Sequence, residues 1–177
     1  GIRDSSVTGV QTCALPILPF LRVALVQPKI PQEVKWDPAR APAILEVLSG
    51  VTLEAASMQP DIIIWPEAVT PLAVRGDESA KAFVEALAKR AGRPLLLGSI
   101  AVEDRGGPNE AWFNGAFLVT PSEGVAAGYY AKRQLVPFGE YVPLRPLLGW
   151  LEKFVPVGGD FIAGDSAAPL LVPVRGE

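Results

Sequence analysis

Short continuous apolar runs alternate along the chain with longer stretches that carry a helical repeat. Leu21–Gln27 (LRVALVQ) is apolar and stops at Pro28, which predicts a buried strand. Pro28–Trp36 reads as a loop. Asp37 then offers an N-cap and Pro38 suits a first helical position. Ala41, Ile44, Leu45, Leu48, Val51 and Ala55 recur at helical spacing and predict an amphipathic helix to about Ser57, weakened in its middle by Gly50. Asp61–Trp65 predicts a second buried strand, stopped by Pro66. Asp77 opens another helix, with Ala80, Phe83, Val84, Leu87 and Ala91 inside and Lys81, Glu85 and Lys89 forming i,i+4 pairs outside. Gly92 and Pro94 end it. Leu95–Ala101, Trp112–Thr120 and Val125–Ala131 predict three more strands, the last two joined by a Pro-Ser-Glu-Gly turn.

The order β-α-β-α-β, then β-β, argues for an α/β layered domain whose strands are covered by helices on at least one face. Beyond Lys132 the pattern dissolves. Val136–Val157 is proline-rich, with a short apolar helix over roughly Leu144–Phe154. Pro169–Val174 predicts the start of a further strand. No apolar stretch reaches about eighteen residues; the run Cys13–Val26 is broken by Pro16, Pro19 and Arg22. Gly1–Ile17 has no strand or helix period and resembles translated sequencing-adaptor sequence. It is expected to be a non-native leader that packs little, leaving residues 18–177 as the N-terminal part of a domain.

Composition removes several chemistries. There is no histidine and a single cysteine, Cys13. A Ser-His-Asp or Cys-His arrangement, a His-ligated metal and an intrachain disulfide are therefore all excluded for this chain. The formal net charge of −3, with no basic cluster, gives no footprint for nucleic acid. Carboxylates, lysines, hydroxyls and backbone groups remain as catalytic equipment. The 18 prolines in 177 residues are about twice the average use, and they sit between apolar runs, as in a loop-rich enzyme fold.

Three residues stand where such groups would act. Glu67 directly follows an apolar strand in Ile64-Trp65-Pro66-Glu67, and strand C-termini are where α/β active sites collect. Beside an indole it is expected to be partly desolvated, which suits a general base. Lys132 ends the strand Gly128-Tyr129-Tyr130-Ala131, where an ammonium could stabilise an oxyanion. Glu140 lies in Val136-Pro137-Phe138-Gly139-Glu140-Tyr141-Val142-Pro143, a backbone held stiffly around one charge. Taken singly, an exposed loop glutamate, a snorkelling lysine and a rigid structural turn account for the same features.

Together these blocks form a pattern. Val23-Ala24-Leu25-Val26-Gln27, Ile30-Pro31-Gln32, Lys35-Trp36, Trp65-Pro66-Glu67, Tyr130-Ala131-Lys132, LVPFGEYVP (residues 135–143) and FIAGD (residues 161–165) resemble the nitrilase, or carbon–nitrogen hydrolase, superfamily. Within it they are similar to the apolipoprotein N-acyltransferase family, LVPFGEYVP being the most specific part. The resemblance covers about Leu21 onward. It implies an α-β-β-α sandwich, incomplete at the C-terminus of this chain. It implies Glu67 as general base, Lys132 as the lysine of a Glu-Lys-Cys triad, and Glu140 as a supporting second glutamate. The two triad members are expected at adjacent strand ends, facing one pocket.

The family's nucleophilic cysteine would follow a strand begun by Pro169–Val174. Cys13 precedes the first strand and does not fit the triad order. The chain is therefore expected to be a fragment, inactive alone, of a longer enzyme of the bacterial inner membrane with its catalytic domain on the periplasmic face. The resemblance implies no metal and no organic cofactor. It implies a phospholipid acyl donor, the lipidated N-terminal cysteine of a lipoprotein as acceptor, and a membrane. A soluble nitrilase-type amidase and a non-catalytic binding domain of the same fold are the alternatives. Leu144, Leu147, Leu148, Trp150, Leu151 and Phe154 fit a lipid-facing arm and a helix packed on the core equally well.

Overall fold

The computed structural model describes residues 21–35, 37–142 and 161–173. The apolar helix expected over 144–154, Cys13 and the 1–17 segment lie outside the described residues.

The first two strands are short: β1 is Val23–Leu25 and β2 is Ile62–Ile64. They run parallel, with Ala24 opposite Ile63. Between them, residues expected as loop form one helical turn, α1 (Gln32–Lys35). Pro31 presets the entering backbone, and its carbonyl accepts from Val34 N–H at 3.3 Å. Asp37 caps as expected, but it caps a 3-10 turn over Pro38–Arg40, accepting from Ala39 N–H at 2.9 Å. That turn runs straight into α2, Ala41–Ser57. Gly50 is tolerated because it faces open space. Thr52, buried on the inner face, accepts from the Trp65 indole N–H at 3.0 Å and so ties α2 to the end of β2.

Helix α3 spans Glu78–Ala91. The Asp77 carboxylate accepts from Ser79 and Ala80 N–H, both at 3.0 Å, and Gly92 closes the helix in the left-handed region. Its outer charges differ from the expected ladder. Lys81 pairs with Glu78 at 3.6 Å, while Glu85 reaches the next layer and accepts from Val125 N–H at 3.3 Å.

Strands β3 (Leu95–Glu103), β4 (Ala111–Thr120) and β5 (Gly124–Ala131) complete a five-stranded sheet in the order β1-β2-β3-β4-β5. The pairing is parallel from β1 to β3 and antiparallel from β3 to β5. Alternation of side chains assigns the two faces. Ile63, Leu95, Leu97, Ala101, Phe117 and Val119 form one core with Ile44, Leu48 and Ala55 of α2 and Val84, Leu87 and Ala88 of α3. The helices thus cover one face, and the architecture is the α/β layering of a nitrilase-like sandwich with an open sheet.

Two further expectations change. β1 is not buried: Val23 and Leu25 point away from the helices, and Leu25 is 79% exposed. The run beginning at Pro169 does not join the sheet in its described part. Pro169 and Pro173 have no N–H to give a ladder, and Leu171 stands 81% exposed.

Candidate active site

Glu67 leaves β2 through a segment that lies directly on β3. Trp65 N–H donates to Leu96 C=O at 2.9 Å, Gly98 N–H to Pro66 C=O at 3.2 Å, and Val69 N–H to Gly98 C=O at 3.0 Å. Gly98 is what permits this approach. A Cβ there would stand 2.5 Å from Glu67 Cα and 2.6 Å from Ala68 N. Ala68 turns the chain at φ +43°, a left-handed conformation that costs a non-glycine residue roughly 1–2 kcal/mol. The loop is then locked from beneath. Buried Thr70 and Ser99 share a hydroxyl hydrogen bond of 2.5 Å, and Val74 N–H donates to Ser99 Oγ at 3.1 Å.

Lys132 follows β5. Its N–H donates to Asn114 C=O at 2.7 Å, and its carbonyl accepts from Gly164 N–H at 2.9 Å. The side chain crosses toward Glu67, placing Nζ 3.0 Å from Oε1. The same Nζ lies 3.0 Å from Glu140 Oε2 and 3.2 Å from its Oε1. Glu140 is presented by a tight turn: Glu140 N–H donates to Val136 C=O at 2.9 Å, and Val136 N–H returns to Glu140 Oε2 at 2.8 Å.

The three residues singled out in the sequence therefore meet. They do not meet as neighbouring strand ends, because β3 and β4 lie between β2 and β5. Nor is Glu67 desolvated: its side chain is 63% exposed, against 13% for Glu140 and 29% for Lys132.

A fourth residue completes the cluster. Asn114, on β4 and 7% exposed, donates through Nδ2 to Glu67 Oε1 and to Glu140 Oε1, each at 2.7 Å. Sequence reasoning passed over it. Its signal was an amide inside the apolar strand Trp112–Thr120, since a buried amide needs polar partners.

Burial pulls the Lys132 ammonium down, but the hydrogen bonds and charges of Glu67 and Glu140 outweigh it and hold it above the usual lysine range. Burial likewise pushes Glu140 up. Hydrogen bonds from Asn114, Val136 N–H and Lys132, with the lysine charge, reverse this and hold it below the usual carboxylate range. Lys35 brings a second cation into Coulombic reach of Glu67, and burial holds it below the ordinary lysine value.

Beside the cluster lies a cavity of about 360 Å³, its polar rim formed by Glu67, Asn114 and Lys132 and its walls by Ile64, Leu96 and Tyr130. A cluster of two carboxylates, one ammonium and one amide can accept a proton and stabilise an adjacent oxyanion. Among the described residues no group of three or more His, Cys, Asp or Glu side chains could hold a metal ion.

The carbon–nitrogen hydrolase family model matches residues 22–164. An apolipoprotein N-acyltransferase from Geobacter metallireducens is 35% identical over 153 residues, covering 86% of this chain and 29% of that protein. One from Pseudomonas aeruginosa is 36% identical over 155 residues, covering 85% of this chain and again 29% of the relative. The chain thus spans less than a third of the length of these relatives. Among solved structures, XC1258 from Xanthomonas campestris is a CN-hydrolase superfamily protein with an arsenic adduct in its active site. It aligns with TM-score 0.54 at 21% identity over 84% of this chain and 48% of its own. A mutant amidase from Nesterenkonia sp. AN1, with acrylamide added to its active-site cysteine, aligns with TM-score 0.57 at 16% identity over 86% and 53%. These two likenesses concern the fold alone. The family match runs from β1 through the segment that follows the Glu140 turn, and by it this chain belongs to the carbon–nitrogen hydrolase family.

Proposed function

We propose that the chain carries the Glu67–Lys132–Glu140 part of the catalytic site of an apolipoprotein N-acyltransferase, which moves an acyl chain from a phospholipid to the amino group of a lipoprotein's N-terminal lipidated cysteine. The observation that carries the reading is the convergence of two carboxylates on one ammonium, in a chain 35% identical to such an enzyme. The thiol nucleophile belongs to a cysteine later in the polypeptide than Lys132.

In the first half-reaction Glu67 takes the thiol proton as sulfur attacks the ester carbonyl. Lys132 faces the oxyanion. The ester C–O bond breaks, the C–S bond remains, and the departing alcohol takes the proton from Glu67. In the second half-reaction the lipoprotein amine attacks the thioester and gives its proton to Glu67. The C–S bond breaks, the amide forms, and the thiolate recovers the proton. Glu140, bound to Lys132 and Asn114, keeps the ammonium in place throughout.

The test uses the longer polypeptide that contains this chain, incubated with phospholipid. Mass spectrometry should find the acyl group on one cysteine, and a lipopeptide amine should then discharge it. Glu67→Gln should abolish the adduct. Hydrolysis of small amides without any acyl adduct from phospholipid would replace this reading with that of an amidase.

A further inference from the structure

The four polar residues of the cluster reach the site from different supports. Glu67 stands on a loop clipped to β3, Glu140 on a turn, and Lys132 on a long stem beyond the end of β5. Asn114 alone sits inside a strand with partners on both sides, opposite Ile100 of β3 and bonded through its carbonyl to Lys132 N–H. We propose that Asn114 is the positioning residue of this site, its side-chain amide fixing Glu67 and Glu140 to the sheet and directing an incoming proton to the outer oxygen of Glu67.

The orientation of the amide is set by chemistry. Ionised carboxylates only accept hydrogen bonds, so Nδ2 must face both of them, with one N–H for each. Both bonds are 2.7 Å, and both end on Oε1 atoms that already receive Lys132 Nζ. Two carboxylates drawn to one nitrogen repel each other, and the single charge of Lys132 cannot neutralise both. Lys132 could also swing to either one, because its four-carbon stem is flexible. A neutral donor with two N–H groups on a rigid strand removes that choice. It satisfies one oxygen of each glutamate without adding charge. On Glu67 it acts with Lys132 to put two donors on Oε1, so a proton arriving from a nucleophile goes to Oε2. Burial at 7% exposure makes the amide dependent on these partners, since a buried amide left without them loses the hydrogen bonds water would have given it.

The proton-directing half of this proposal rests on the acyl-transfer reading; the positioning half does not. The experiment is therefore a side-chain NMR titration of the 177-residue chain itself. In the unmodified chain the Asn114 amide protons should shift with the titration of both Glu67 and Glu140. In Asn114→Leu, which keeps the volume and removes both donors, the Glu140 midpoint should rise by about one pH unit. Glu46 and Glu54 on α2 should not move. Amide protons that stay still while either carboxylate titrates, or a Glu140 midpoint unchanged in a folded Asn114→Leu, would overturn the proposal. If Asn114→Leu does not fold, the amide-proton titration of the unmodified chain decides alone. None of these readouts involves acyl transfer, so failure of the enzymatic reading would be seen separately.

Discussion

Lys132 Nζ and Glu67 Oε1 stand 3.0 Å apart although 65 residues separate them in sequence and two strands separate them in the sheet. The contact depends on two departures from regular structure. The Glu67 segment lies down on β3 at Gly98, and the Lys132 stem leans over β4 at Asn114.

Removing the ammonium takes an ion-pair partner from both carboxylates. Glu140 lies below its ordinary value in the folded chain, so its contribution to stability is present above about pH 4.3 and is lost as the pH falls through the folded value. Lys132 lies above its ordinary value, so its contribution is present below about pH 10.4 and is lost as the pH rises through the folded value. Lys132→Met should therefore lower Tm by about 2–4 °C between those limits, with the difference shrinking at both ends. Glu140, 13% exposed, should account for more of it than solvent-screened Glu67. Calorimetry across pH checks the shape.

Two glycines should respond in opposite directions to alanine. At Gly98 the added carbon meets Glu67 Cα at 2.5 Å, so the loop must lift. Gly98→Ala should cost about 1–3 kcal/mol and break the Glu67–Lys132 contact. At Gly50 nothing lies within 4 Å, and Gly50→Ala should stabilise α2 by about 0.5–1 kcal/mol. Urea midpoints report both.

Tyr129 packs against Phe117 with ring centroids 4.7 Å apart, and its buried hydroxyl finds no hydrogen-bond partner among the described residues. Burial pushes its phenol up to about 12; the Arg75 guanidinium opposes the rise, and Glu103 adds to it. The phenol must stay neutral in the fold, so stability should fall as the pH rises from about 10 to about 12. Tyr129→Phe should flatten that decline and should not lower stability at neutral pH. Alkaline denaturation followed by circular dichroism decides it.

Trp65 should be sensitive to a change made elsewhere. Its indole N–H is satisfied by Thr52 on α2. Thr52→Val preserves shape and leaves that donor buried without its acceptor, at a cost of about 1–3 kcal/mol. A red or blue shift of tryptophan fluorescence, with a lower urea midpoint, is the expected result.

Much of this was legible in the sequence for definite reasons. Proline and glycine mark ends sharply, so the ends of β2 and α3 follow from Pro66, Gly92 and Pro94, and Pro38 marks the 3-10 turn that leads into α2. Glu67, Lys132 and Glu140 could be singled out because each charge interrupts an apolar or stiff context. The rest depends on contacts between distant segments. Nothing local shows that the Glu67 segment passes over β3, since that follows from a side chain Gly98 lacks. Asn114 was hidden because a strand amide is equally at home at an exposed position. Period and hydrophobicity could not show that Val23 and Leu25 lie on the face without helices, because strand alternation does not say which face meets a helix.

The absence of a side chain at Gly98 decides what the Glu67 loop is fastened to. Pro66 C=O and Val69 N–H are both clipped to the backbone of one β3 residue, and Ser99 secures the loop on the other side of that strand. The Glu67 carboxylate therefore moves with the sheet and not with the solvent-facing loops. On heating, the distance between Glu67 and Lys132 should hold until the sheet itself melts. The Glu67–Lys132 contact and the global fold would then disappear in one transition, with no folded state between them that lacks the contact.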